Sequence, residues 1–240
     1  MTIIKAIIFD FGQTLVDSAE GFRLAEKQAE TRIFHDLELG SWPDFLTVYR
    51  RLRKDYHAKS NFSRKALWKA IYRHYDREAN ATLISREEDN YWETINAKTR
   101  LFPETEAVLK QLALSYRLAL ITNTQGQEAS GEHRISLFPE LESLFEVVIV
   151  AGENNIPPKP DPIPFLTCLE KLEIDPVNAI YVGDDWRIDV CGAEAVGLQP
   201  IWLKHHSITR NWPLIENPGP MIISLEQLLN LEKIGLSSRG

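Results

Sequence analysis

Short apolar runs, each stopping abruptly at polar or glycine residues, recur along this chain and constrain its fold more than any other feature. The first, Ile3-Ile4 then Ala6-Ile7-Ile8-Phe9, is broken only by Lys5 and ends at Asp10-Phe11-Gly12. Others are Leu118-Ala119-Leu120-Ile121, Val147-Val148-Ile149-Val150, Ala179-Ile180-Tyr181-Val182 and Pro200-Ile201-Trp202-Leu203. Runs this short, without polar alternation, read as strands buried on both faces. Amphipathic helical patterns lie between them, as at Glu104 to Leu114 and Pro164 to Leu172. Strand and helix alternating through residues 101 to 230 predict an α/β fold, a doubly wound parallel sheet with helices on both faces. Ligands of such sheets bind beyond the carboxyl ends of the strands, so the polar residues that follow each run are the candidates for chemistry.

Residues 18 to 98 break this alternation. Trp42, Phe45, Leu46, Tyr49, Leu52 and Tyr56 follow helical spacing. Ser85 with Glu88 makes a capping-box pattern ahead of a helix containing Tyr91 and Trp92. The expectation is a core of residues 1–17 and 99–240, interrupted by a helical domain of residues 18–98. Asp17 belongs with Ser18 at the start of that domain's first helix.

At 240 residues and 44% hydrophobic content the chain can bury a full core. A formal charge of −7 argues against a nucleic-acid-binding surface over the whole molecule. The apolar start is too short for a signal peptide or a membrane span, which leads to the expectation of a cytoplasmic protein with no membrane partner. Cys168 and Cys191 have no CxxC partner and read as reduced core thiols. His205-His206 reads as an isolated loop pair. Nothing bears on the oligomeric state.

The strand ends yield Asp10, then Thr122-Asn123, Lys159 in a proline-rich loop, and Asp184-Asp185 with Asp189. A hard cation such as Mg²⁺ takes oxygen ligands and keeps several waters, and Asp10 with Asp184 fits that demand. An aspartate can attack phosphorus to form an aspartyl-phosphate that water later cleaves. The metal and a lysine would neutralise the phosphoryl oxygens, with Thr122 bonding another of them. Singly, each residue also has a structural explanation, such as capping a turn; together at successive strand ends they point to a small anionic, phosphorylated substrate.

The segment Ile7-Ile8-Phe9-Asp10-Phe11-Gly12-Gln13-Thr14-Leu15-Val16-Asp17 resembles the first motif of the haloacid dehalogenase superfamily. Ile121-Thr122-Asn123 resembles its second, Lys159-Pro160-Asp161-Pro162 its third, and Gly183-Asp184-Asp185-Trp186-Arg187-Ile188-Asp189 its fourth, in the family's order. The resemblance implies a Rossmann-like core with Asp10 as nucleophile and metal ligand, Thr122 and Asn123 at the transferring group, and Lys159 orienting Asp10. It implies Asp184 as a direct Mg²⁺ ligand with Asp189 supporting it; Asp185 offers a competing register. Residues 18–98 match the position of the helical cap that family members place between their first and second motifs. The basic stretch from Arg50 to Arg73, whose one acidic residue is Asp55, would steer an anion.

The sequence departs from this family at Gly12, where its phosphatases carry an aspartate that serves as general acid and then base. The Gly12 carbonyl can still ligate a metal, but proton transfer worth roughly 10²–10⁴ in rate is missing. Gln13 replaces the following glycine, at a turn where glycine is the cheapest residue. Three readings stay open: a phosphatase that favours good leaving groups, a hydrolase of another bond such as a phosphonate hydrolase or dehalogenase-like enzyme, and a phosphate-binding module of weak turnover.

Overall fold

The structure, a computed structural model, describes residues 3–59, 61–124 and 133–234. The chain opens with β1 (Ala6–Phe9) and the two-residue β2 (Val16–Asp17). Four helices follow: α1 (Ala19–Asp36), α2 (Trp42–Ala58), α3 (Arg64–His74) and α4 (Ala81–Lys98). The chain then runs through β3 (Arg100–Leu101), α5 (Thr105–Ala113), β4 (Arg117–Asn123), α6 (Pro139–Glu142), β5 (Val147–Ala151) and α7 (Pro162–Leu172). It continues with β6 (Ala179–Gly183), α8 (Cys191–Glu194), β7 (Gln199–Leu203) and β8 (Met221–Ile222). Two compact units result, one built from Met1–Asp17, Arg100–Asn123 and Ile135–Gly240, the other from Ser18–Thr99 with Thr124–Arg134.

The first unit holds a six-stranded sheet in the order β5-β4-β1-β6-β7-β8, every pairing parallel. The apolar runs become strands because each is buried on both faces, and period-two alternation divides their side chains between two cores. Ile7, Phe9, Leu118, Leu120, Ile180 and Val182 face one, with Val108, Leu109 and Leu112 of α5. Ala6, Ile8, Ala119, Ile121, Ala179 and Tyr181 face the other, with Phe165, Cys168 and Leu169 of α7. Fully burying each large apolar side chain contributes about 1.5–3 kcal/mol. After β1 the chain winds outward to β4 and β5, then crosses to the other side for β6 and β7. The carboxyl end of β1, and Asp10 with it, therefore lies at the switch point where a crevice opens.

The edge strand β8, two residues long, carries no pattern from which it could be read, and neither does the β2–β3 ribbon. Cys168 is buried, but Cys191 is exposed at the start of α8, which corrects its reading as a core thiol.

The second unit buries its own core, including Ala25, Phe45, Tyr49, Trp68, Tyr91 and Trp92. Its last helix starts earlier than the capping box suggests: Asn80 accepts from the amides of Thr82 and Leu83, at 2.9 and 3.1 Å, leaving Ser85 inside the helix. The basic stretch is partly internal. Arg64 is 5% exposed and donates to Tyr91 OH at 2.8 Å, which in turn donates to Glu26 Oε2 at 2.9 Å. Lys65 pairs with Glu88 at 2.7 Å. Arg23, Lys27, Arg50 and Arg53 line a cleft of about 740 Å³ in this unit. No helix among the described residues is long and apolar enough to cross a membrane.

Candidate active site

Lys159 organises the cluster beyond the strand ends. Its ammonium is only 1% exposed and lies 2.8 Å from Asp10 Oδ1, 2.8 Å from Asp189 Oδ1, 2.9 Å from the Ile121 carbonyl and 2.7 Å from Tyr181 OH. A lysine this deep survives as a cation only when carboxylates compensate for the lost water. Burial works against its charge, but Asp10 and Asp189 outweigh it and hold Lys159 above the ordinary lysine range. The loop that carries Lys159 is fixed by Asn123 at the end of β4, whose Oδ1 accepts from Lys159 N at 2.8 Å and whose Nδ2 donates to Lys159 O at 3.0 Å. The Asn123 amide therefore acts on the Lys159 backbone.

Asp10 continues β1, its amide donating to the Val182 carbonyl at 2.9 Å. Lys159 holds one carboxylate oxygen and Thr14 Oγ1 donates to the other at 3.1 Å. Burial pushes this carboxyl up to about 6, with Lys159 pulling down and Asp189 pushing up. Thr122 is buried at the end of the neighbouring strand β4. Gly12 and Gln13 form the turn after Phe11, in which Gln13 takes a left-handed φ of 62°. The turn is thus kept where glycine is absent, at a cost of about 1–2 kcal/mol.

At the end of β6 the two aspartates divide their tasks. Asp185 Oδ1 accepts from Ile188 N at 2.8 Å and caps the helical turn Trp186–Val190. Asp184 is 5% exposed, and its carboxylate, with those of Asp10 and Asp189, offers oxygens all within 4.8 Å of one another. Geometry thus brings Asp184, and not Asp185, to Asp10. Asp189 is engaged on both oxygens, taking Lys159 and Tyr181 on Oδ1 and the Asp185 amide on Oδ2. It braces Lys159 and the β6 turn. Burial raises the Asp184 carboxyl well above its ordinary value; Arg210 opposes this, while Asp10 and Asp189 add to it. Two carboxyls held above their ordinary range, Asp10 and Asp184, with Asp189 beside them and only oxygen to offer, suit a hard divalent cation such as Mg²⁺.

Several partners lie outside the sequence reading. Tyr181 looked like strand core, yet its hydroxyl bonds Lys159. Arg210 pairs with Asp184 Oδ2 at 2.7 Å, and Trp202 Nε1 donates to the Asp184 carbonyl at 2.9 Å. His205 lies in a loop as expected but is not isolated: it is buried, bonds Glu104 Oε1 at 2.8 Å and Ser207 Oγ at 2.7 Å, and stacks on Phe102. Its partner Glu104 is too distant in sequence to be paired by spacing, and both ring nitrogens are already engaged.

Comparison with known proteins bears on this arrangement. A family model of haloacid dehalogenase-like hydrolases matches residues 4–197. The glyceraldehyde 3-phosphate phosphatase of Pyrococcus abyssi is 33% identical over 208 residues, covering 85% of this chain and 82% of that protein. Two solved structures share the fold at a TM-score of 0.67: a 2-haloacid dehalogenase from Pseudomonas syringae pv. Tomato DC3000 and a phosphatase of the family from Thermococcus onnurineus. The first is 24% identical and covers 96% of this chain and 99% of that one; the second is 22% identical and covers 95% and 98%. Equal likeness to a dehalogenase and a phosphatase means that the fold alone does not choose the bond; the side chains at the strand ends must.

Proposed function

The chain belongs to the haloacid dehalogenase-like hydrolases, and from that premise we propose that it is a Mg²⁺-dependent phosphatase of a small phosphorylated metabolite. The observation that carries this reading is the convergence of Asp10, Asp184 and Asp189 on one another, with Lys159 bonded to the first and the last. A metal-independent dehalogenase has no need of that acidic cluster. The phosphatase relative supports a phosphomonoester substrate.

In this reading Asp10 attacks phosphorus, forming an aspartyl-phosphate as the bond to the leaving oxygen breaks; water then attacks phosphorus and returns the Asp10 carboxylate with inorganic phosphate. Lys159 keeps Asp10 ionised and fixes one of its oxygens, while Asn123 fixes Lys159. Thr122 hydrogen-bonds a phosphoryl oxygen. Asp10, Asp184 and the Gly12 carbonyl would hold Mg²⁺, with Asp189 supporting them, and the metal supplies charge neutralisation at the phosphoryl group. Gly12 has no side chain to protonate the leaving oxygen, so that proton comes from solvent and good leaving groups are favoured. We assign catalysis to residues 1–17 and 99–240, and substrate selection to the cap of residues 18–98.

The test is hydrolysis of an activated aryl phosphate with and without Mg²⁺, by the wild type and Asp10→Asn. Metal-dependent turnover lost in the variant is expected. Halide release from a 2-haloacid without metal would replace this reading with a dehalogenase. Bound Mg²⁺ without any turnover would replace it with a phosphate-binding module.

A further inference from the structure

Asp184 has a counter-ion of its own. Arg210, in the segment after β7, reaches it twice, with Nη1 2.7 Å from Oδ2 and Nη2 donating to the backbone carbonyl at 2.7 Å. The guanidinium carbon lies 3.9 Å from the centroid of the Trp212 ring. Trp212 meets Trp202 nearly edge-on, at 6.0 Å and 82°, and Trp202 bonds the same Asp184 carbonyl. Arg210 is therefore a planar cation laid on an aromatic wall, one third exposed, rather than a loose surface side chain.

Lys159 bonds Asp10 and Asp189 but not Asp184, which among the described residues leaves Arg210 as the cation that answers the third carboxylate. A divalent cation and Arg210 compete for that carboxylate. Each weakens the pairing of the other, because the charge both need is the same. An arginine released there stays tethered beside the acid cluster, where a phosphoryl group must come to meet Asp10. Its fork of five N–H donors matches phosphate oxygens.

We propose that Arg210 is a phosphate-binding residue parked on Asp184, which exchanges that carboxylate for the phosphoryl group when Mg²⁺ takes Asp184. Metal and phosphate then bind cooperatively: the metal frees the arginine, and the phosphate draws it away from the metal's ligand. This inference rests on the phosphatase reading of the same site.

The test is calorimetric titration of Mg²⁺ into wild type, Arg210→Gln and Arg210→Lys at pH 8, with and without saturating inorganic phosphate, thermal melting confirming that each is folded. In the wild type, phosphate tightens Mg²⁺ binding about tenfold or more, within the usual range of coupling between sites. In Arg210→Gln, Mg²⁺ alone binds at least about threefold tighter, because its competitor is gone, and the coupling factor falls at least about threefold. Arg210→Lys, which keeps the charge without the fork, falls between. A coupling factor in Arg210→Gln equal to that of the wild type would overturn the role of Arg210 alone, as would weaker Mg²⁺ binding by that variant without phosphate. Absence of Mg²⁺ binding in the wild type would overturn the metal reading of the site, and this inference with it.

Discussion

Gly183 and Asp189 are so close that a Cβ on the glycine would stand 2.5 Å from Cβ and Cγ of the aspartate. The glycine at the end of β6 is there for space, since Asp189 must lie against the strand to receive Lys159, Tyr181 and the Asp185 amide. Gly183→Ala therefore pushes Asp189 off Lys159 and frees Lys159 from one of its two carboxylates. Overpacking of this kind costs about 1–3 kcal/mol. Urea unfolding should show that loss, and aryl phosphatase activity should fall at least about tenfold, since a misplaced catalytic group loses far more than its contact energy. A variant with wild-type turnover would mean that Asp189 is not what positions Lys159.

In the helical unit, His57 Nε2 lies 3.3 Å from Arg64 Nη1, with Arg53 and Glu26 nearby. Burial, then Arg64 and Arg53, push the imidazole down to about 4, against the pull of Glu26. The unfolded chain holds its histidines near 6.5, so between those values it binds a proton that the folded state refuses. The sign follows: the stability linked to neutral His57 is fully present above about pH 6.5 and is lost as the pH falls toward 4. His57→Gln, which still accepts from Arg64, should unfold with a shallower acid limb in that window, by somewhat less than one proton. Parallel acid limbs in urea titrations of both proteins would refute the depressed imidazole.

What was legible beforehand is what a strand end dictates. Asp10, Lys159 and Asp184 stand out because a charged group directly after a buried apolar run, or in a proline-rich loop between such runs, has few other reasons to be there. Tyr181 was hidden because an aromatic inside Ala179-Ile180-Tyr181-Val182 is indistinguishable from core until its hydroxyl is seen to meet Lys159. Arg210 was hidden for the opposite reason, as an arginine in a polar loop reads as solvated until Trp212 and Asp184 fix it. The bonds of Asn123 were hidden as well, because sequence order puts it beside Thr122, whereas its side-chain amide engages with both ends a backbone 36 positions away. Residue type reports the chemistry a site has available. Which groups are already engaged is decided by contacts across the fold.

Gln13 holds φ at 62°, and its backbone N–H donates to the Val16 carbonyl at 2.8 Å. A left-handed L-residue costs about 1–2 kcal/mol, which glycine would recover while losing about 0.5–1 kcal/mol of extra chain entropy on folding. Gln13→Gly should therefore raise unfolding stability by about 0.5–1 kcal/mol in urea titrations. Destabilisation instead would show that the glutamine side chain makes a contact worth more than the strain.

Gly12 sets the remaining question, since the residue two places after Asp10 is where the family's phosphatases keep their general acid. With no proton donor there, the rate should depend steeply on the leaving group, fast for aryl phosphates and slow for alkyl ones. Gly12→Asp supplies a carboxyl beside Asp10 and should raise kcat/KM for an alkyl phosphate by up to about 10²–10⁴, with little gain for an activated aryl phosphate that needs no proton. The added carboxylate also brings a fourth acid to Asp10, Asp184 and Asp189, so the comparison must be made at saturating Mg²⁺. If a folded Gly12→Asp protein gains nothing on either substrate, protonation of the leaving group is not the slow step, and glycine at this position marks an enzyme limited elsewhere.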